Sequence, residues 1–339
     1  MTKQPLVTVI TVVYNIIENG RKDFLIQNFE SVHNQTYKNI EHLIIDGAST
    51  DGTLDILKEY ADRGWIRYIS EKDNGIFDAM NKGHKNAKGE YALVLNSDDW
   101  YASNDVIEHM VNKAVETNAD YVYGSQRTLS RSGRYMSTWS PSIHAFWALM
   151  PFNHPTIMIK NSIVEKEGFY RTDFSTTEDY RFVIQLILKD YKGVDAKKKI
   201  VNFREGGASY SPDDKVTYYD WLYNRISKVL YWFYSQFDDR ITEENIIEKY
   251  CYFNGGKFDD LFYIRLIKFM IGKKLKNFNY NDFLSFIEAV RLATTKNATK
   301  QIKKFKLLGC PILTIKKDLK GSKTYKLFSF LPILKIKTK

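Results

Sequence analysis

Cysteine is nearly absent: only Cys251 and Cys310 occur among 339 residues. Two thiols cannot build a disulfide framework or a cysteine-based zinc site, and a reducing compartment fits. Also missing is any run of 18 apolar residues, so no transmembrane helix is expected. No secretory signal is expected either, because Met-Thr-Lys-Gln-Pro runs straight into a strand-like segment. The motifs for an EF-hand loop, a phosphate-binding P-loop and the GxGxxG turn do not occur.

What is present describes an ordinary globular chain. It is 44% hydrophobic and 27% charged, which excludes wholesale disorder. Its length suits about two domains. Tyrosine and phenylalanine are plentiful, at 23 and 21, and core packing is the first explanation to weigh. The formal charge of +10 is lopsided. Gln301 to Lys339 holds eleven lysines, no arginine and one acid, Asp318, so the tail alone carries the +10 and the first 300 residues sum to zero.

The front of the chain alternates strand and helix patterns. Leu6–Tyr14 is a β-branched run suited to a strand buried on both faces. Helical spacing follows over Phe24–Val32, then strand Ile40–Ile45, helix Leu54–Ala61, strand Ile66–Ser70, helix Gly75–Ala87 and strand Tyr91–Leu95. Helix Val106–Thr117 and strand Tyr121–Tyr123 continue the series. Leu129–Trp139 alternates like a hairpin. Thr156–Ile159 and Lys199–Phe203 read as strands, and Glu178–Lys189 as a helix. The pattern predicts an α/β fold with a Rossmann-like, mostly parallel sheet. Beyond Val216 the chain reads helical, aromatic and basic, with a boundary near Pro212-Asp213-Asp214. A weak repeat pairs Phe305–Lys316 with Tyr325–Lys337.

In parallel sheets, ligands sit at the carboxyl ends of the strands. Three polar clusters fall there: Tyr14-Asn15, Asp46, and Asn96-Ser97-Asp98-Asp99. Adjacent acids at the end of a buried strand are costly unless something neutralises them. A hard divalent cation with oxygen ligands is one answer. An Asx turn is the bland alternative. Asp46 could accept from a base N–H, while Asp51 suits helix capping. In the stretch Glu71–Gly83, Asn81 and Lys82 could reach a pyrophosphate, although a solvated charged helix would look similar.

Taken in order, VTVITVVYN, QTYKNIEHLIIDGASTDGT, SEKDNGIFDAMNKG, ALVLNSDDW, NHPTIMIK and STTEDYRF resemble the inverting family 2 glycosyltransferases with the GT-A fold. The resemblance covers residues 6 to about 210 and is nearest to a subgroup that builds bacterial surface polysaccharides. It implies that Thr11, Tyr14 and Asp46 hold the nucleoside. It adds Asp78, Asn81, Lys82, Asn96 and Asp98 to the donor site. It implies Mn²⁺ or Mg²⁺ on Asp98, with Asp99 and His154 as further candidate ligands. Because the first position of the metal motif is Asn here, the ligand set stays open between Asp98 alone and Asp98 with Asp99. Asp179 matches the family's base, with Glu178 in reserve. Gly206–Ser209 matches a cleft-lining segment, and a structural role is the alternative.

The implied organisation is a catalytic domain over 1–212, a helical aromatic extension over 213–300 and a Lys-rich amphipathic tail over 301–339. The donor would be a UDP-sugar and the acceptor a lipid-linked glycan, with the tail on the anionic inner face of the cytoplasmic membrane. A helical or β-like closure of the second domain is the tail's alternative. A nucleic-acid binder would use the basic tail, but that leaves the neutral front and its ordered acids unexplained, so no nucleic-acid partner is expected. A nucleotidyltransferase would want a glycine- and Arg/Lys-rich triphosphate loop after the first strand, which VTVITVVYN lacks. A catalytically dead scaffold sits poorly with intact acidic motifs.

Overall fold

The computed structural model describes residues 4–174, 177–207, 218–243, 246, 260–294, 313–317, 323–327 and 334–335. The chain divides into two compact units.

The first unit spans residues 1–143 and 150–229. Its elements begin β1 (Val7–Val13), α1 (Lys22–His33), β2 (Ile40–Asp46), α2 (Thr53–Asp62), β3 (Arg67–Ser70), α3 (Ile76–Asn86) and β4 (Tyr91–Val94). They continue with β5 (Trp100–Tyr101), α4 (Val106–Thr117), β6 (Tyr121–Leu129), β7 (Tyr135–Trp139), β8 (Ile157–Lys160), α5 (Asn161–Lys166), α6 (Glu178–Leu188) and β9 (Gly193–Arg204). The sheet order is β3-β2-β1-β4-β8-β6-β9-β5, with β7 paired to β6. β1 runs parallel to β2 and β4, and β2 parallel to β3. β8 is antiparallel to both β4 and β6, and β5 is antiparallel to β9.

The β-branched run of β1 makes it central, because both of its faces must be covered. Leu25, Phe29 and Val32 recur at helical spacing along α1 and are buried. Leu25 and Phe29 pack with Val13, Ile44, Leu57 and Tyr60. A second cluster joins Val7, Val9, Leu93 and Met158 to Ile107, Met110 and Val111 of α4. α3 comes so close to β1 that a Cβ at Gly83 would collide with the Ile10 side chain. Most of the expected elements are found within a residue or two. The expected strand Lys199–Phe203 starts earlier, at Gly193, and β6 runs on to Leu129. β5 is only two residues long, too short to leave a periodic signal.

The second unit comprises residues 144–149 and 230–339. Helix α7 (Tyr218–Tyr234) leads into it, followed by α8 (Asp260–Lys273) and α9 (Tyr280–Thr294). Its core is aromatic. Phe146 packs against Phe233 and Phe283, and Trp147 against Phe262. The Tyr234 hydroxyl donates to the Trp147 carbonyl at 2.5 Å. Fully buried Asp238 pairs with Arg240 and Arg265. Packing thus accounts for many of the phenylalanines and tyrosines.

The tail holds three short antiparallel strands, β10 (Leu313–Lys317), β11 (Lys323–Leu327) and β12 (Leu334–Lys335), in that order. Apolar and polar residues alternate there, as in Leu-Thr-Ile-Lys, which suits a strand better than a helix. β10 and β12 occupy matching places in the repeat and flank β11. The expected boundary near Pro212 lies outside the described residues, as do Ala208, Ser209 and all of 301–312.

Candidate active site

Parallel pairing brings three loops to one edge of the sheet. In register, Val13 faces Asp46 and Asp46 faces Ser70. Asp46 is fully buried. Its carboxylate accepts the Ser49 N–H at 3.0 Å, the Ser49 hydroxyl at 2.5 Å and the Ser70 hydroxyl at 2.6 Å. These bonds offset the cost of burying the charge. They leave about one of its four acceptor positions free. Tyr14 is 60% exposed beside it. A Cβ at Gly47 would stand 2.5 Å from Asp73 Oδ2 and 3.2 Å from the Tyr14 ring, so glycine lets those two side chains close over the turn. Asn15 ties the loops together in the left-handed region, at φ 44°. Its N–H donates to the Ser49 hydroxyl and its Oδ1 accepts the Thr50 N–H. Asp51 accepts from the Thr53 N–H and hydroxyl and is held low by those bonds. Thr11 is fully buried between Asn28 and His42, so its hydroxyl has no open face toward a ligand.

The acid loop leaves β4 at the same edge, where the Leu95 N–H donates to the Ile10 carbonyl. Its two aspartates have different surroundings. Asp99 is fully buried, and each of its carboxylate oxygens accepts a hydrogen bond. Its Oδ1 accepts the Arg204 N–H at 2.8 Å and its Oδ2 the Asn96 amide at 2.8 Å. Asn28 of α1 donates to the carbonyls of both Asn96 and Asp99, closing the turn. Asp98 is nearly buried, yet its nearest partner is the Arg21 guanidinium, 3.7 Å away. Burial pushes its carboxyl up against the pull of Arg21 and Arg204. Burial, and then the charge of Asp98, push Asp99 up much further. Arg21 also donates to the Gly206 carbonyl at 3.0 Å, and a Cβ at Gly207 would stand 3.4 Å from Asp98 Oδ2. Arg204 is the brace. Its guanidinium lies between the rings of Phe24 and Trp100, 3.8 and 4.8 Å from their centroids, and donates to the Gln27 side chain.

The α3 side chains are already engaged. Asp78 accepts the Asn74 N–H at the helix start. Asn81 is buried and clamps the Tyr170 backbone, donating to its carbonyl at 2.7 Å and accepting its N–H at 2.9 Å. Lys82 pairs with Glu71 at 3.2 Å and lies 3.7 Å from Asp78.

His154 ends the loop that enters β8. β8 runs antiparallel to β4, so that loop also lies at the acid-loop edge. The His154 Nε2 pairs with the Tyr170 hydroxyl at 2.9 Å. Burial, and then the neighbouring His84, push its pKa down to about 3, so the ring is neutral. The two histidines and Tyr170 line one small, mainly apolar cavity with Phe182. The charges of Asp179 and Glu178, secondary to burial, push the Tyr170 phenol up. The α6 acids therefore lie near this ring. Glu178 is fully buried and bound to Arg181, through Nε at 2.6 Å and Nη2 at 2.5 Å, and it accepts the Arg171 N–H. Asp179 is half-buried and accepts the Tyr180 N–H at 2.8 Å. Burial raises its pKa to about 7.

Residues 8–172 match the family described as glycosyl transferase family 2. Glycosyltransferase GlyA of Streptococcus pneumoniae is 35% identical over 127 residues, covering 37% of this chain and 17% of its own. An uncharacterized glycosyltransferase of Mycobacterium tuberculosis is 30% identical over 195 residues, covering 56% of this chain and 71% of its own. The chain belongs to glycosyl transferase family 2. Its fold is similar to that of Staphylococcus aureus TarS 1–349 solved with UDP-GlcNAc, at TM-score 0.51 and 14% identity, covering 97% of this chain and 98% of that one. It is also similar to the mannosyltransferase PcManGT of Pyrobaculum calidifontis solved with GDP-Man and Mn²⁺, at TM-score 0.50 and 17% identity, covering 88% and 83%. The α/β sheet is that of the GT-A glycosyltransferases.

The resemblance implies a divalent ion at the acid loop, with Asp98, Asp99 and His154 as its candidate ligands. Among the described residues, no three His, Cys, Asp or Glu side chains gather as a metal cage, so His154 does not join Asp98 and Asp99 in one. Mg²⁺ and Mn²⁺ need less, because they keep waters and substrate phosphates as ligands. Asp98 fits that role, with a buried carboxylate, its one ion pair a long 3.7 Å to Arg21, and a glycine beside it. Asp99 is held at both oxygens by Arg204 and Asn96. Reading the sequence missed Arg21, Arg204 and Asp73. Asp73 stood inside a motif already singled out, but nothing local links Arg204 to a loop 105 residues earlier.

Proposed function

We propose that the chain transfers a sugar from a UDP-sugar to a hydroxyl of a growing, lipid-linked bacterial surface glycan, such as a capsule or lipopolysaccharide chain, with inversion. The observation that carries this reading is the contrast between two acids. Asp98 keeps an open, costly carboxylate at the strand-end edge, and Asp179 is a carboxyl held near pH 7. Asp46 and Tyr14 would take the nucleoside, the first by accepting a base N–H, the second by stacking. A divalent ion on Asp98 would supply Lewis-acid stabilisation of the leaving diphosphate. Asp99, Asn96, Asn28 and Arg204 would hold the acid loop still. Asp179 would accept the proton of the attacking hydroxyl at its carboxylate oxygen, worth about 10²–10⁴-fold. Attack opposite the leaving group inverts the anomeric carbon in one displacement.

Support for the donor is that TarS 1–349 was solved with UDP-GlcNAc and PcManGT with GDP-Man and Mn²⁺. The lysine-rich tail would meet the anionic inner face of the cytoplasmic membrane, where a lipid-linked acceptor resides. Among the described residues no helix is long and apolar enough to cross a membrane. The test is a hydrolysis screen of UDP-, GDP- and dTDP-sugars with Mn²⁺. Slow release of UDP, abolished by EDTA, is expected. Turnover of none of them, or turnover indifferent to EDTA, refutes the reading.

A further inference from the structure

The second unit exposes a stripe that its own core does not use. On α8, Leu261, Ile264 and Ile271 are 43%, 47% and 54% exposed, and Lys268 is exposed between them. At 100° per residue these four fall within about 80° of one helix face and span about 15 Å. The opposite face, with Phe262, Leu266 and Met270, is buried. Lys274 follows just past the helix end, and like Lys268 it is exposed and forms no ion pair among the described residues. Aliphatic side chains interleaved with a lysine outside any ion pair differ from an ordinary solvated face, on which half-exposed isoleucines do not line up.

We infer that this face of α8 docks on an anionic lipid surface, with Ile264 and Ile271 in the interfacial layer and Lys268 and Lys274 at the headgroups. Charge selects this occupant over two others. The chain's own tail carries +10 and would bring like charge to the lysines. A second copy would place the same lysines against each other. A lipid headgroup layer offers both negative charge and an apolar layer beneath it, and lysine stems can lie along the latter while their ammonium groups stay in water. The inference rests on the membrane-bound acceptor of the proposed function for its purpose, but not for its evidence.

The test is sedimentation of the full chain with vesicles of 30% phosphatidylglycerol in phosphatidylcholine, against pure phosphatidylcholine. Wild type should bind the first and not the second. Ile264→Asp with Ile271→Asp should weaken binding at least tenfold, with unchanged melting and nucleotide-sugar hydrolysis. Lys268→Glu and Lys274→Glu together should weaken it about thirtyfold at low salt, at about 1 kcal/mol per basic residue. An environment-sensitive dye on Ile271→Cys, with Cys251 and Cys310 changed to Ser, should shift to the blue on anionic vesicles. Wild-type binding by the double aspartate variant, or a dye that stays in water, overturns the proposal and leaves the tail as the contact. A dimer that the aspartates dissociate, without vesicle binding, also overturns it. Loss of vesicle binding beside intact hydrolysis separates this surface from the transfer site. Vesicle binding by a chain that turns over no nucleotide-sugar would sink the function and spare the surface.

Discussion

Replacing Asp179 by Asn should disable the enzyme while making it more stable. The carboxyl rises from its ordinary 3.8 to about 7 because burial disfavours its charge. The folded state therefore binds a proton between those values that the unfolded chain has already released, so stability falls as pH climbs through that window. Above about pH 7 the cost is complete. At about 1.4 kcal/mol per pH unit its ceiling is about 4 kcal/mol, and because the group is only half-buried, solvent screening cuts this to about 1–2 kcal/mol. At pH 8 the Asp179→Asn protein should melt higher by about 2–4 °C per kcal/mol. At pH 4 it should melt with wild type. Turnover at pH 8 should drop about 10²–10⁴-fold. In the wild type, kcat/KM should climb about tenfold per pH unit below 7 and level off above. Paired melts and initial rates at the two pH values decide the matter. A variant that keeps its turnover, or one whose stability gain is the same at pH 4 and pH 8, refutes the argument.

Other expectations follow from the same structure. Tyr14→Ala should leave melting within about 0.5 kcal/mol, since the ring is exposed, and raise the UDP dissociation constant by the equivalent of about 1–3 kcal/mol if the ring stacks on the base; calorimetry with UDP reads both. Glu178→Ala breaks a buried ion pair with Arg181 and should cost about 3–5 kcal/mol in denaturant titration. A loss under 1 kcal/mol would show that the pair is not structural. Gly83→Ala drives a methyl into Ile10 and should cost about 1–3 kcal/mol by the same assay.

How much of this was legible beforehand depended on whether the deciding contact was local. β1, α1 and α4 announced themselves because period and burial lie within a dozen residues. The convergence of Tyr14, Asp46 and the acid loop on one edge followed from alternation alone. Side-chain roles did not follow. Asn81 reads as a polar group at a pyrophosphate until Tyr170, 89 residues later, occupies both ends of its amide. Thr11 is covered by Asn28 and His42, and in a strand buried on both faces no alternation says which side a hydroxyl takes. Asp98 and Asp99 are neighbours of the same type, and only Arg204, arriving from the end of β9, makes one a brace and leaves the other open.

The most direct test of the account is a UDP titration with Mn²⁺ and with EDTA, in wild type and in Asp98→Ala. Wild type should bind at least tenfold more tightly with Mn²⁺, and Asp98→Ala should lose that gain while keeping its melting temperature. Equal affinity in all four arms would contradict the claim that Asp98 stays open to hold the ion that carries the diphosphate.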